Sequence, residues 1–171
     1  MKASVIKNMP VVSMADGTKI GNVDELLFDA AKLRLTALLL TAAGGKSMLP
    51  IEKVRNIGSD VITIEDATAT QGVEGNALLD SLRGLKELSR LRAINGEGTW
   101  VGDVKEIELD PLNGQISGVV VHRGGVLGLG GTTTMVSAPA IRGIGPKVIT
   151  VETAADAPSP PSPAADGQQP R

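Results

Sequence analysis

Cysteine is absent from the sequence, and histidine and aromatic residues are almost absent. Without cysteine, the chain forms no disulfide, offers no thiolate to a metal and has no cysteine nucleophile. The single histidine, His122, follows three valines and has no second histidine or cysteine with which to share a metal. Phe28 and Trp100 are the only aromatic side chains. We therefore expect an aliphatic core, no metal site and no cofactor.

Long apolar runs and basic clusters are missing as well. The longest apolar run, residues 33–43, is far shorter than the roughly 20 residues that a membrane-spanning helix needs. The N-terminal residues lack the apolar segment of a signal peptide. The 17 Lys and Arg residues are balanced by 19 Asp and Glu, and no window has the basic character of a nucleic-acid surface. We expect a soluble, cytoplasmic protein that has no transmembrane segment and does not bind nucleic acid directly.

The chain contains an internal repeat. Residues 16–29 (DGTKIGNVDELLFD) align with residues 97–110 (EGTWVGDVKEIELD), and each matching pair is 81 residues apart. Residues 55–65 (RNIGSDVITIE) align with residues 142–152 (RGIGPKVITVE) at a separation of 87. The second copy therefore carries a short insertion, which coincides with the glycine-rich stretch GGVLGLGGTTTM. A repeat of this length predicts two copies of one supersecondary unit.

Each copy has the pattern of short β-strands. Apolar residues fall mostly at every second position in IGNVDELLFD and VGDVKEIELD, and aliphatic runs of strand length follow. DPLNGQ predicts a hairpin turn in the second copy, and DAAKLR predicts a less favourable one in the first. Each copy then has a short strand, one helical turn and a closing strand. Five or so short strands with glycine turns favour a small closed barrel, because closure removes exposed edges.

These segments resemble the PRC-barrel family, which includes the cytoplasmic domain of the photosynthetic reaction-centre H subunit and the C-terminal domain of a ribosome-maturation factor. The resemblance rests on DGTKIGNVDELLFD and LPIEKVRNIGSDVITIE in the first copy, and on EGTWVGDVKEIELD, GGVLGLGG and APAIRGIGPKVITVE in the second. It implies an all-β protein with two tandem PRC-barrel-like barrels. We expect the first barrel at residues 1–66, a partly helical linker at 67–81, the second barrel at 82–152 and a disordered, proline-rich tail at 153–171.

The resemblance also implies a function without catalysis. No serine lies in a nucleophile elbow and no triad is recognisable, so the sequence offers no catalytic residue. We expect an adaptor that holds or assembles a protein complex with an unidentified protein partner. The two barrels are expected to pack on each other or to support a homodimer. The alternatives are an RNA-processing or ribosome-assembly factor, a peripheral scaffold of a membrane complex, and a small-ligand sensor.

Candidate contact residues lie in three places. The glycine-rich stretch is followed by a strand former and not by a helix, so a phosphate cradle is disfavoured against a simple turn. Its apolar side chains are candidates for partner contact, as are an aromatic residue that replaces Lys19 of the first copy and two repeated mid-strand glutamates. These candidates are Val126, Leu127, Leu129, Trp100, Glu25 and Glu106. Asp29 and Asp110 are repeated too, and turn formation explains them.

Overall fold

The computed structural model describes residues 1–124 and 130–152, and within these residues the chain forms two β-sheets and three short helices. The helices are α1 (Ala3–Ile6), α2 (Ala77–Ser81) and α3 (Leu85–Leu88). The strands of the first sheet are β1 (Pro10–Ser13), β2 (Lys19–Asp29), β3 (Arg34–Ala42), β4 (Gly45–Pro50), β5 (Val54–Ile57), β6 (Ile62–Ile64), β7 (Gln71–Gly72) and β8 (Arg83–Gly84). The strands of the second are β9 (Arg92–Ile94), β10 (Trp100–Leu109), β11 (Ile116–Gly124), β12 (Gly131–Ser137), β13 (Ile141–Ile144) and β14 (Val148–Val151). No helix in the described segments is long and apolar enough to cross a membrane.

The two sheets have the same topology. The first runs in the order β5-β6-β1-β2-β3-β4 and the second in the order β13-β14-β9-β10-β11-β12. In each, one pair is parallel, β1 with β6 and β9 with β14, and the neighbouring pairs are antiparallel. A 3₁₀ turn, Ile51–Lys53 or Ala138–Ala140, connects the last strand of each order to the first and rolls the sheet into a barrel. The expected fold class of two tandem small barrels is therefore confirmed.

Alternating aliphatic side chains fill the barrels. Val23, Leu26 and Phe28 of β2 are buried, and Val104, Ile107 and Leu109 are their equivalents in β10. The buried side chains of both barrels belong to one contiguous hydrophobic cluster. The barrels are thus packed on each other through a shared core.

Each barrel lends a short extended segment to the other. Lys2, just before α1, forms an antiparallel bridge with Glu108 of β10, and the N–H of Leu109 donates to the carbonyl oxygen of Met1 at 2.7 Å. In the equivalent place, β8 pairs with β2, Gly84 opposite Leu27 and Arg83 opposite Phe28. The two exchanges are related by an approximate two-fold axis.

This axis passes between the two long hairpins. Arg34 forms an antiparallel bridge with Gln115, the residue 81 positions later. On either side of this bridge, the N–H of Leu35 donates to Gly114 O and the N–H of Ile116 donates to Leu33 O, each at 2.8 Å. The interface has the form of a two-fold dimer contact, in which the same patch is used twice.

The segment between the repeats contains β7, α2, β8 and α3. Asn76 caps α2, because its side chain accepts a hydrogen bond from the N–H of Leu78. The run LKELSR, which the sequence left open between helix and strand, contains α3. Both copies also contain the 3₁₀ turn, although Pro139 stands later in the second copy than Pro50 does in the first. The predicted disorder of residues 153–171 lies outside the described residues.

The repeated pair Gly21 and Gly102 marks a close approach of neighbouring strands. A Cβ at Gly21 would lie 2.9 Å from the carbonyl oxygen of Thr41, and one at Gly102 would lie 2.7 Å from that of His122. Any side chain at either position would push the long hairpin apart.

Replacing either glycine by alanine is therefore expected to destabilise the protein. We expect Gly21→Ala and Gly102→Ala each to lower the free energy of unfolding by about 1–3 kcal/mol, measured by urea denaturation. Gly44→Ala and Gly96→Ala are matched controls, since a Cβ at either position meets no atom within 4 Å. Equal stability of Gly102→Ala and Gly96→Ala would contradict this explanation.

Candidate functional site

Three of the six candidate contact residues lie outside the described residues. These are Val126, Leu127 and Leu129 of the inserted loop. Their exposure and their contact with a partner stay predictions. The structure places the other three on the long strands, Glu25 on β2 and both Trp100 and Glu106 on β10.

Glu25 and Glu106 occupy the same β-bulge in the two copies. The register of β2 against β3 shifts between Val23 and Glu25, and that of β10 against β11 shifts between Val104 and Glu106. Such a bulge breaks the alternation and changes the direction of a side chain. In each copy the glutamate Oε1 accepts the N–H of the next residue, at 3.1 Å for Glu25 and 3.0 Å for Glu106. The repeated glutamates therefore satisfy the backbone where the ladder is interrupted.

The two glutamates face different surroundings. Glu106 also accepts from the N–H of Ser4 at 3.2 Å and from the Ser4 hydroxyl, so it joins the two barrels. Glu25 lies instead against Gly84, where an added Cβ would be 3.3 Å from its Cγ, and it opens onto a cleft. We call the place where the barrels meet beside each glutamate a junction. Ser4 closes the junction at Glu106, and the junction at Glu25 is open.

The open junction is a cleft of about 550 Å³ with a surplus of positive charge. We call it the basic cleft, and its lining residues are Glu25, Gly84, Lys86, Glu87, Arg90, Leu91, Arg92, Pro146 and Lys147. In the described part of the chain, no salt bridge neutralises Lys86, Arg90, Arg92 or Lys147. The cleft therefore presents four cations that form no salt bridge, together with the carboxylate of Glu25.

Arg83 fixes the wall of the basic cleft. Its guanidinium donates to Glu87 through Nε at 2.9 Å and through Nη2 at 2.6 Å. The same group donates to the carbonyl oxygens of Gly145 and Pro146, which lie in the turn between β13 and β14. This arginine neutralises Glu87 and holds α3 against the turn. The segments that carry Lys86 and Lys147 are therefore fixed to each other.

Trp100 lies beside the cleft between two arginines. The Cζ atoms of Arg92 and Arg123 are 5.3 and 5.4 Å from the centroid of its ring, within cation–π range. Its indole N–H donates to Asp103 Oδ1 at 3.3 Å. Arg92 lines the cleft and also contacts the ring, so the half-buried Trp100 and the cleft belong to one continuous surface.

The cations of this surface were missed in the sequence. The run RGLKELSRLR, residues 83–92, holds four basic residues and one acidic residue, which was the available signal. Lys147 is more than fifty positions away, and only the turn between β13 and β14 brings it to the cleft. The sequence analysis did not identify this cluster, and the expectation that the protein does not bind nucleic acid directly stays a prediction.

The remaining candidates have local roles. His122 lies half-buried on β11, with its Nδ1 3.0 Å from Thr133 Oγ1. Asp29 Oδ1 accepts from the N–H groups of Ala31 and Lys32, and Asp110 Oδ1 accepts from that of Leu112, so both acids stabilise turns. Within residues 1–124 and 130–152, no three His, Cys, Asp or Glu side chains gather where they could hold a metal ion.

Comparison with known families agrees with this architecture. The family model described as the PRC-barrel domain matches residues 1–71 and again residues 82–157. The chain therefore belongs to the PRC-barrel family and contains two tandem copies of its domain. A search of curated proteins found no match to the chain.

The turn formed by Asp29 predicts a dependence of stability on pH. The N–H of Lys32 holds the pKa of Asp29 below its ordinary value of 3.8, since it donates to the ionised carboxylate. A carboxyl with a lowered folded pKa stabilises the protein above the unfolded pKa and loses this effect as pH falls through the folded pKa. Below about pH 4, the wild type is therefore expected to lose stability.

Asp29→Asn keeps the oxygen acceptor but does not titrate. We expect its midpoint of thermal unfolding to fall less than that of the wild type between pH 6 and pH 3, measured by circular dichroism, because one carboxylate no longer takes up a proton. Identical slopes in the two proteins would contradict a role for this carboxylate.

Proposed function

We propose that the protein is a non-enzymatic protein–protein interaction module, an adaptor that binds an acidic surface of its partner at the basic cleft. The observation that carries this proposal is the continuity between the cleft and Trp100 through Arg92. Arginine and tryptophan are enriched where protein interfaces derive most of their binding energy. The two barrels share one core, which holds the residues of such a contact in place.

The charge of the cleft indicates the kind of partner surface that it would bind. The four cations of the cleft favour a partner surface that presents Asp and Glu side chains. Electrostatic attraction would steer such a surface to the cleft and align it there. Glu25, which also lines the cleft, suits a basic or amide side chain within that acidic surface. Trp100, with Arg92 and Arg123 over its ring, adds a half-buried aromatic side chain that is linked to the cleft through Arg92.

A charge-reversal variant tests the proposal. Lys86→Glu, Arg90→Glu and Lys147→Glu, combined in one chain, are expected to reduce capture of the partner from native lysate by about tenfold or more, because opposite charges become like charges. The measurement is quantitative mass spectrometry of proteins that co-purify with the full chain from nuclease-treated lysate. Trp100 is the only tryptophan, so its fluorescence reports binding of a purified partner directly.

The matched control reverses three exposed lysines outside the cleft, Lys19, Lys53 and Lys105. It has the same net charge as the cleft variant and is expected to capture the partner as the wild type does. Equal capture by both variants would show that the contact lies elsewhere. If no protein is captured by the wild type, or if capture is lost on nuclease treatment, the adaptor proposal fails.

A further inference from the structure

The two barrels differ at one equivalent edge. In the first barrel the outer edge of β4 is covered by β7, with Ser47 opposite Gly72 and Met48 opposite Gln71. In the second barrel β12 holds the position of β4, and it is the last strand of its sheet in the described part of the chain. The same edge is thus paired in the first copy, whereas among the described residues nothing pairs with it in the second.

Equivalent methionines of the two copies differ in their exposure. Met48 is 1% exposed, and the side chain of Asn76 contacts its sulfur at 3.8 Å. Met135, which lies 87 positions later at the same place in the repeat, is 52% exposed. In the first copy this edge therefore accepts an antiparallel strand, and the linker that supplies the strand also contacts the buried methionine.

The edge of β12 has none of the features that protect exposed strands. Natural edges are blocked by charged residues, prolines or bulges. The segment GTTTMVS, Gly131–Ser137, contains no charge and no proline, and its ladder with β11 runs without a register shift. Residues 131–135 are all exposed. The strand is regular and uncharged, and no strand of the described segments pairs with its outer edge.

The chain's own continuation is poorly suited to this edge. In the repeat, the residues 87 positions after β7 are Pro158 and Ser159, and the next two residues are both prolines. Proline lacks the N–H that a ladder requires, so it is rarely found in a paired strand. The first copy has Gln71 and Gly72 at these positions, which keep their donors.

We propose that β12 pairs antiparallel with β12 of a second copy of this chain, across a two-fold axis near Thr133 and Thr134. Antiparallel pairing of one strand with itself satisfies the symmetry of a closed dimer. No like charges would be brought together, and opposed threonines are favourable cross-strand neighbours. The pairing joins the second barrels of two molecules into one continuous sheet and covers both Met135 side chains.

The test is the mass of the intact chain in solution. By sedimentation velocity at micromolar concentration, we expect the wild type to form a dimer of twice the 17.6 kDa chain mass. Met135→Lys is expected to raise the dissociation constant by about tenfold or more, because lysine on an edge strand opposes pairing. The matched control is Leu112→Lys, which replaces a 92% exposed leucine of the β10–β11 turn and is expected to leave the dimer intact.

A charge exchange separates direct pairing from loss of fold. Thr134→Lys and Thr134→Glu are each expected to be monomeric, because like charges meet near the axis, whereas an equimolar mixture is expected to form the dimer again. A monomeric wild type, a dimeric Met135→Lys or a mixture that stays monomeric would each overturn the proposal. If the chain dimerises only after residues 153–171 are removed, the tail occupies this edge in the full chain, and the proposal is overturned too.

Discussion

The structure depends on the exchange of two short extended segments between the barrels. The backbone around Lys2 pairs with β10 of the second barrel, and β8 pairs with β2 of the first, so each long hairpin is completed by the other copy. The hydrogen bonds around Arg34 and Gln115 add a second contact on the same axis. Because the buried side chains form one cluster, we expect the two family domains to unfold as a single cooperative unit.

Tandem duplication allows two equivalent surfaces to diverge, which a symmetric dimer of identical chains does not allow. At one junction Ser4 closes on Glu106, whereas at the other Lys86 and Glu25 border the basic cleft. The β4 edge is covered by the segment that connects the copies, whereas its equivalent β12 is bare in the described residues. The approximate symmetry thus builds the core, and its local violations produce the two surfaces on which a partner and a second copy are proposed to bind.

The sequence predicts the features that depend on local chemistry. Apolar alternation predicted the strands, and DPLNGQ predicted a turn, in which Gly114 has φ +71°. It does not predict the exchange, because alternation determines which face of a strand is buried and not which copy supplies its neighbour. The contacts of Arg92 and Arg123 with Trp100 were not predicted, for a related reason. Both arginines reach the ring only because β9 and β11 flank β10.

Native-state hydrogen exchange on the full chain tests the cooperative unit most directly. Ile62→Val in β6 removes one fully buried methyl group from the first barrel, at a cost of about 1 kcal/mol. If the exchanged segments make the barrels one unit, the most protected amides of β10 and β11 should exchange about fivefold faster, as should those of β2 and β3. Faster exchange in the first barrel alone, with unchanged protection in β10 and β11, would contradict the account.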